Sequence, residues 1–166
     1  MNTERSFSGK VALIVGGCEG PGLTIAEALL SSDALFVLAV DLDARLKGFT
    51  SLKQKYCNAD IVKLASSQPE DVAVPLEVLI TRFHRIDLVV SCIRAPIGRT
   101  QRDNSEHDVF DYLRMCVSIA RKAADYFRAE NKPGTIVCIL LPPSEESLAV
   151  YGLWPRSSAY RCLCWT

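Results

Sequence analysis

Five apolar runs of strand length punctuate the chain, and between them apolar residues recur every three or four positions. The runs at 10–16 and 35–40 are nearly continuous in Val, Ile, Leu and Ala, the pattern of strands covered by helices on both faces. Further runs at 59–64, 86–91 and 134–141 complete the strand set. Between the first two, 22–31 places Leu23, Ala26, Leu29 and Leu30 on one helical face, and 45–55 reads as an amphipathic helix. The segment 69–83 opens with Pro69, suited to the first helical position, and with Glu70 and Asp71 where the helix dipole favours acids. The longest helix is predicted over 106–130; Asn131, Lys132 and Pro133 end it, and Gly134 resets the chain for a strand.

Strands alternating with helices predict an α/β fold: a Rossmann-type doubly wound parallel sheet in three α/β/α layers. Right-handed crossovers place the first strand centrally, and a reversal after the third gives about five strands in the order 3-2-1-4-5. A ligand crevice belongs at that reversal. No repeat or linker interrupts the scheme, so 1–166 is expected to form one domain with an irregular tail from about 142. There Pro142, Pro143, Ser144, Glu145 and Glu146 break regularity, and no strand or full helix is placed beyond them.

Length permits a substantial core, since a chain near 150 residues buries roughly 70% of its unfolded surface. Lys plus Arg and Asp plus Glu both number 19, and no basic run is sustained, which argues against nucleic-acid binding. The apolar run 11–15 is too short for a signal-peptide core or a membrane span, so a cytoplasmic protein is expected. Seven cysteines lie scattered without metal-ligand spacing, and their odd number argues against a complete disulfide framework. They read as small buried hydrophobes, with Cys162 and Cys164 set apart by their terminal position. No metal site is expected.

The first strand runs into Gly16-Gly-Cys-Glu-Gly20-Pro-Gly22, a glycine turn that opens a helix. Such turns let backbone amides approach a pyrophosphate, whose charge the helix N-terminus favours. Steric need alone also puts glycine in tight strand-to-helix turns. Here the turn is answered, about 20 residues on, by Asp41 at the end of the second strand, placed to bond adenosine ribose hydroxyls. An acid there repels a 2′-phosphate, which favours NAD over NADP. The alternative for Asp41 is a solvated cap of the next segment.

Gly16-x-x-x-Gly20-x-Gly22, with the lead-in Ser8-Gly9-Lys10-Val11-Ala12-Leu13-Ile14, resembles the glycine motif of short-chain dehydrogenases/reductases. The likeness continues through Asp41, Pro69-Glu70-Asp71-Val72 and Arg82-Phe83-His84-Arg85-Ile86-Asp87, which is similar to the family's "RFGRLD" entry to the fourth strand. Within the family, Leu52-Lys53-Gln54-Lys55-Tyr56 and the approach to Tyr160 look most like the insect alcohol dehydrogenase and 15-hydroxyprostaglandin dehydrogenase branch. The resemblance implies an NAD-dependent oxidoreductase of alcohols and ketones, with Gly16, Gly20, Gly22 and Asp41 binding cofactor and Tyr160 as the catalytic phenol.

Departures from the family pattern fall on its chemistry. Leu141 stands where the family has its catalytic Ser, Cys164 where it has the Lys of Tyr-x-x-x-Lys, and Leu113 where an assisting Asn is expected. Ser91-Cys92-Ile93-Arg94 replaces Asn-Asn-Ala-Gly, and Val15 replaces the Thr before the first glycine. With a free phenol pKa of about 10, roughly one Tyr160 in a thousand would be ionised at neutral pH without a neighbouring cation. Loss of a positioned donor such as the Ser costs about 3 to 4 kcal/mol of transition-state stabilisation. Pro21 suits a helix start but removes an amide from the turn, and Glu19 adds negative charge there, so NAD affinity is expected to fall by about 1 to 3 kcal/mol.

The chain stops six residues after Tyr160, at Thr166, short of the family's helix carrying Tyr-x-x-x-Lys, its later strands and its substrate loop. That implies a fifth strand left as an edge, and an incompletely covered face of helix 106–130 bearing Val109, Tyr112, Leu113, Cys116 and Ile119. Two functional readings stand: an oxidoreductase with impaired or no catalysis, or a noncatalytic pseudoenzyme that meets a protein partner or forms a homodimer through helix 106–130. A truncated product without an independent role is the third.

Overall fold

A computed structural model describes residues 7–18, 20–41, 47–64, 68–94, 105–141 and 161–165. Along the chain run β1 (Val11–Val15), α1 (Gly20–Ser31), β2 (Phe36–Asp41), α2 (Lys47–Lys55), β3 (Ala59–Lys63), α3 (Pro69–Phe83), β4 (Leu88–Arg94), α4 (Ser105–Ala129), β5 (Thr135–Leu141) and β6 (Arg161–Trp165). One sheet carries all six strands in the order β3-β2-β1-β4-β5-β6. The first five are parallel and keep the order 3-2-1-4-5 read from the sequence.

The sixth strand corrects that reading. Arg161–Trp165 pairs antiparallel with β5, Cys164 opposite Val137 and Cys162 opposite Ile139, so β5 is not an edge. It follows a stretch whose Pro142, Pro143 and acidic residues break the regular pattern, and its hydrogen bonds come from a partner some 25 residues earlier. β4 also departs from the expected 86–91: it starts two residues later and continues through Cys92, Ile93 and Arg94, whose backbones are held by Ile139, Leu140 and Leu141.

Alternation along the strands sends side chains into two cores. Val11, Leu13, Val15, Phe36, Leu38, Val40, Val89, Ile136 and Cys138 pack under α3 and α4, meeting Val72, Leu76, Leu79, Cys116, Ile119, Ala123 and Phe127. Ala12, Ile14, Val37, Ala39, Leu88, Val90 and Cys92 face α1 and α2, meeting Ala26, Leu29, Leu30, Phe49 and Leu52. All five residues of β1 are buried, as befits the strand with a neighbour on either side and helices on both faces. Cys116 and Ile119, expected on an uncovered face of α4, are core residues at 5% and 0% exposure. The i, i+3, i+7 stripe through 116, 119 and 123 is the one the sheet covers, and among the described residues of α4 the exposed large apolar side chain is Val117. The side chains of Val109, Tyr112 and Leu113 lie outside the described residues.

Local chemistry sets the ends. α3 begins at Pro69 and closes at His84, whose left-handed backbone lets its N–H donate to the Ile80 carbonyl. Pro75 lies inside this helix, where its ring leaves one helical hydrogen bond unmade. At the base of the sheet, Asp87 Oδ2 accepts from the Val11 amide at 2.9 Å and from Arg85 Nε at 3.0 Å, and Oδ1 accepts from Arg85 Nη2 at 2.6 Å. The Asp87 amide donates to Val11 O, and its carbonyl accepts from Thr135 N. Three strand starts are thereby tied to one residue. Burial opposes the charge on Asp87, but Arg85, the Val11 amide and Lys10 together hold its carboxyl below the usual range. Among the described residues no helix is long and apolar enough to cross a membrane.

Candidate functional site

The glycine turn sits at the C-terminal end of β1, the central strand, where the order in which strands are added to the sheet reverses. Gly16 leaves β1 with φ +73°, and its amide donates to Val40 O at 2.8 Å. A Cβ at Gly16 would stand 1.9 Å from the Cys92 carbonyl oxygen, and one at Gly22 would stand 2.1 Å from the Gly16 oxygen. Both positions therefore need glycine for close backbone approach. Gly20, the first residue of α1, has φ +51° but open space around a would-be Cβ. There the requirement is conformational, and the open side is the one a ligand can approach.

Asp41 ends β2 and is 4% exposed. Its Oδ2 accepts from the Cys18 amide at 3.3 Å, so the carboxylate is turned toward the glycine turn and is not a solvated cap. The structure thus brings Gly16, Gly20, Gly22 and Asp41 together at one end of the sheet. The turn offers backbone donors beside a helix start, and the neighbouring carboxylate offers acceptors: the first suits phosphate oxygens, the second a vicinal diol.

Two contributors escaped the sequence reading. Cys18 acts through its amide, for which side-chain identity gives no signal. Gly48, early in α2, would place a Cβ 2.0 Å from the Cys18 carbonyl oxygen. Glycine inside an amphipathic helical pattern was its signal, since helices otherwise disfavour it.

Of the residues aligned with the family's catalytic set, Leu141 closes β5 beside Arg94 of β4, and Cys164 lies in β6 opposite Val137. Tyr160, like Glu19, lies outside the described residues. Ser91 of β4, in place of the family's first Asn, is 1% exposed and its Oγ has no hydrogen-bond partner among the described residues. Burial, with Cys138 and Cys92 adding to it, pushes the Cys116 thiol up to about 12, which marks it as inert packing. Cys18, Cys92, Cys116 and Cys138 are buried, whereas Cys57 is exposed. Among the described residues no group of three or more His, Cys, Asp or Glu is arranged to hold a metal ion.

Comparison with known proteins returns one lineage. The chain is 35% identical over 114 residues to the 3-hydroxyacyl-CoA dehydrogenase type-2 of Bos taurus, covering 67% of this chain and 43% of that protein. Among solved structures, a short-chain type dehydrogenase/reductase from Mycobacterium marinum superposes with TM-score 0.67 at 23% identity, over 80% of this chain and 56% of that one. The L-sorbose reductase of Gluconobacter frateurii, complexed with NADPH and L-sorbose, superposes with TM-score 0.60 at 26% identity, over 77% of this chain and 51% of that one. The chain spans about half the length of the proteins it matches. No family model matches it.

Proposed function

Because this chain belongs to the short-chain dehydrogenase/reductase family, we propose that it is a cytoplasmic NAD(H)-binding protein of alcohol and ketone oxidoreductase descent, with catalysis impaired or lost. The observation that carries the reading is Asp41, a buried carboxylate directed at the glycine turn. In this reading Asp41 accepts from the adenosine ribose hydroxyls and its charge disfavours a 2′-phosphate. The amides between Gly16 and Gly22 face the pyrophosphate, with one donor fewer because of Pro21. NAD, when bound, supplies the hydride acceptor. The residues that would manage the substrate proton are depleted: Leu141 and Cys164 offer neither the hydroxyl nor the cation that the family uses, and Tyr160 is left without either.

Fluorescence titration tests this directly. Saturable NADH binding below millimolar is expected, with NADPH weaker, and Asp41→Ala should lose most of that preference. No saturable binding below millimolar cofactor rejects the reading. A panel of secondary alcohols with NAD, at micromolar protein, is expected to give slow turnover or none.

A second reading, association with a partner protein or a second copy through α4, is favoured by Val117, which is 65% exposed. Light scattering should then show a species above monomer mass that Val117→Lys disperses. A clean monomer rejects it.

A further inference from the structure

We infer that Gly48 is a positioning residue for the nucleotide turn: it lets α2 press against the Cys18 carbonyl and so fixes how the turn presents its amides. The inference rests on the nucleotide-binding reading above.

Gly48 is exposed to solvent, yet the one direction its Cβ would take is blocked, with Cys18 O at 2.0 Å and the Cys18 carbonyl carbon at 3.2 Å. An exposed position early in a helix ordinarily favours alanine over glycine by about 0.8 to 1 kcal/mol. Glycine here is explained by the close approach it permits. Withdrawal of α2 is opposed by the next residue, Phe49, which is fully buried in the core shared with Cys18, Ala39 and Ile14.

Cys18 is held from the other side as well. Its amide is bound by Asp41 Oδ2, and its side chain has no exposure. The Cys18 carbonyl belongs to a rigid planar peptide whose other end is the following N–H, so displacing the oxygen must re-aim that donor. Two residues on, a Cβ at Gly20 would find no atom within 4 Å, so the turn is less confined there than at Gly16 or Gly22. A methyl at 48 should therefore move the turn rather than unseat the helix.

Gly134→Ala provides the matched control. It would force a Cβ within 2.1 Å of the Phe127 ring, an equally close approach but to a side chain, in the other core, under α4. In the purified chain both variants should lower the thermal midpoint. Below both midpoints, Gly48→Ala is expected to weaken NADH binding about tenfold, as loss of roughly one hydrogen bond's worth of alignment would, while Gly134→Ala binds like the parent. Unchanged NADH affinity in Gly48→Ala overturns the inference. Absence of binding in the parent chain would instead overturn the nucleotide reading, and the inference with it. Amide chemical shifts locate the effect without nucleotide: Gly48→Ala should displace the Cys18 and Gly20 resonances, and their constancy would refute the contact. If Gly48→Ala does not fold, Phe49→Leu loosens the same seat without adding an atom there. It should weaken NADH binding too, and unaltered affinity again counts against the proposal.

Discussion

Gly16 and Gly20 share a left-handed backbone but differ in surroundings, and the difference separates their substitution costs. Gly20→Ala meets open space, so only the conformational penalty of about 1 to 2 kcal/mol applies. Gly16→Ala adds a collision with Cys92 O and should cost about 2 kcal/mol more, or prevent folding. Urea midpoints of the two variants check the order. At Asp87, alanine would strand the Val11 amide and unpair Arg85, lowering stability by about 2 to 3 kcal/mol. Asparagine keeps an acceptor and should cost about half as much. The gathering of these glycines and Asp41 at one end of the sheet was legible because it follows from their spacing along the chain. The Asp41–Cys18 bond, the Ser91 hydroxyl with no partner among the described residues and the Gly48 contact were not, since each depends on what folding brings near.

The long helices were legible from their period and their ends. α3 falls on 69–83 as read, and α4 is displaced by one residue at each end from 106–130. Both carry many turns of periodic pattern and clear end signals. β6 was missed because it stands beyond the irregular stretch after 141, with no helix pattern leading into it, and is defined by the edge of β5 that it joins. Its contribution can be measured: a chain ending at residue 160 exposes the outer side of β5 and should lose about 1 to 3 kcal/mol. Urea denaturation would show the loss, and light scattering the accompanying aggregation. On the expected apolar face of α4, Cys116 and Ile119 are covered by the sheet, because helical periodicity shows that a stripe exists and not which neighbour covers it.

For the molecule as a whole, the charge states define a stability window. Asp87 and Asp60 have folded pKa values held below the usual range; in each case burial opposes ionisation and is outweighed, by Arg85 with the Val11 amide and by Lys53 with the Ile61 amide respectively. Their stabilisation is complete above the unfolded carboxylate range, near pH 4, and is lost as pH falls through the depressed folded values. Cys116 works in the opposite sense. Its folded pKa of about 12 exceeds the unfolded value, so its protonated form stabilises the fold below about pH 8.5, and stability declines as pH rises beyond that. Urea midpoints across pH should give a plateau with both limbs, and Cys116→Ala should flatten the alkaline one. Thiol labelling of the native protein should mark Cys57 well before the buried Cys18, Cys92, Cys116 and Cys138.

The Asp87 clamp lies at the opposite end of the sheet from the glycine turn, with the five residues of β1 between them. Occupancy at one pole therefore need not quiet the other. A dinucleotide would raise the free energy of complete unfolding by mass action, yet excursions that fray the strand beginnings and leave the far pole intact would keep their frequency. Deuterium uptake with and without cofactor should show amides after Val15 slowed while those around residues 11, 88 and 135 exchange unaltered, so that acid frays this sheet from its floor whether or not its crevice is filled.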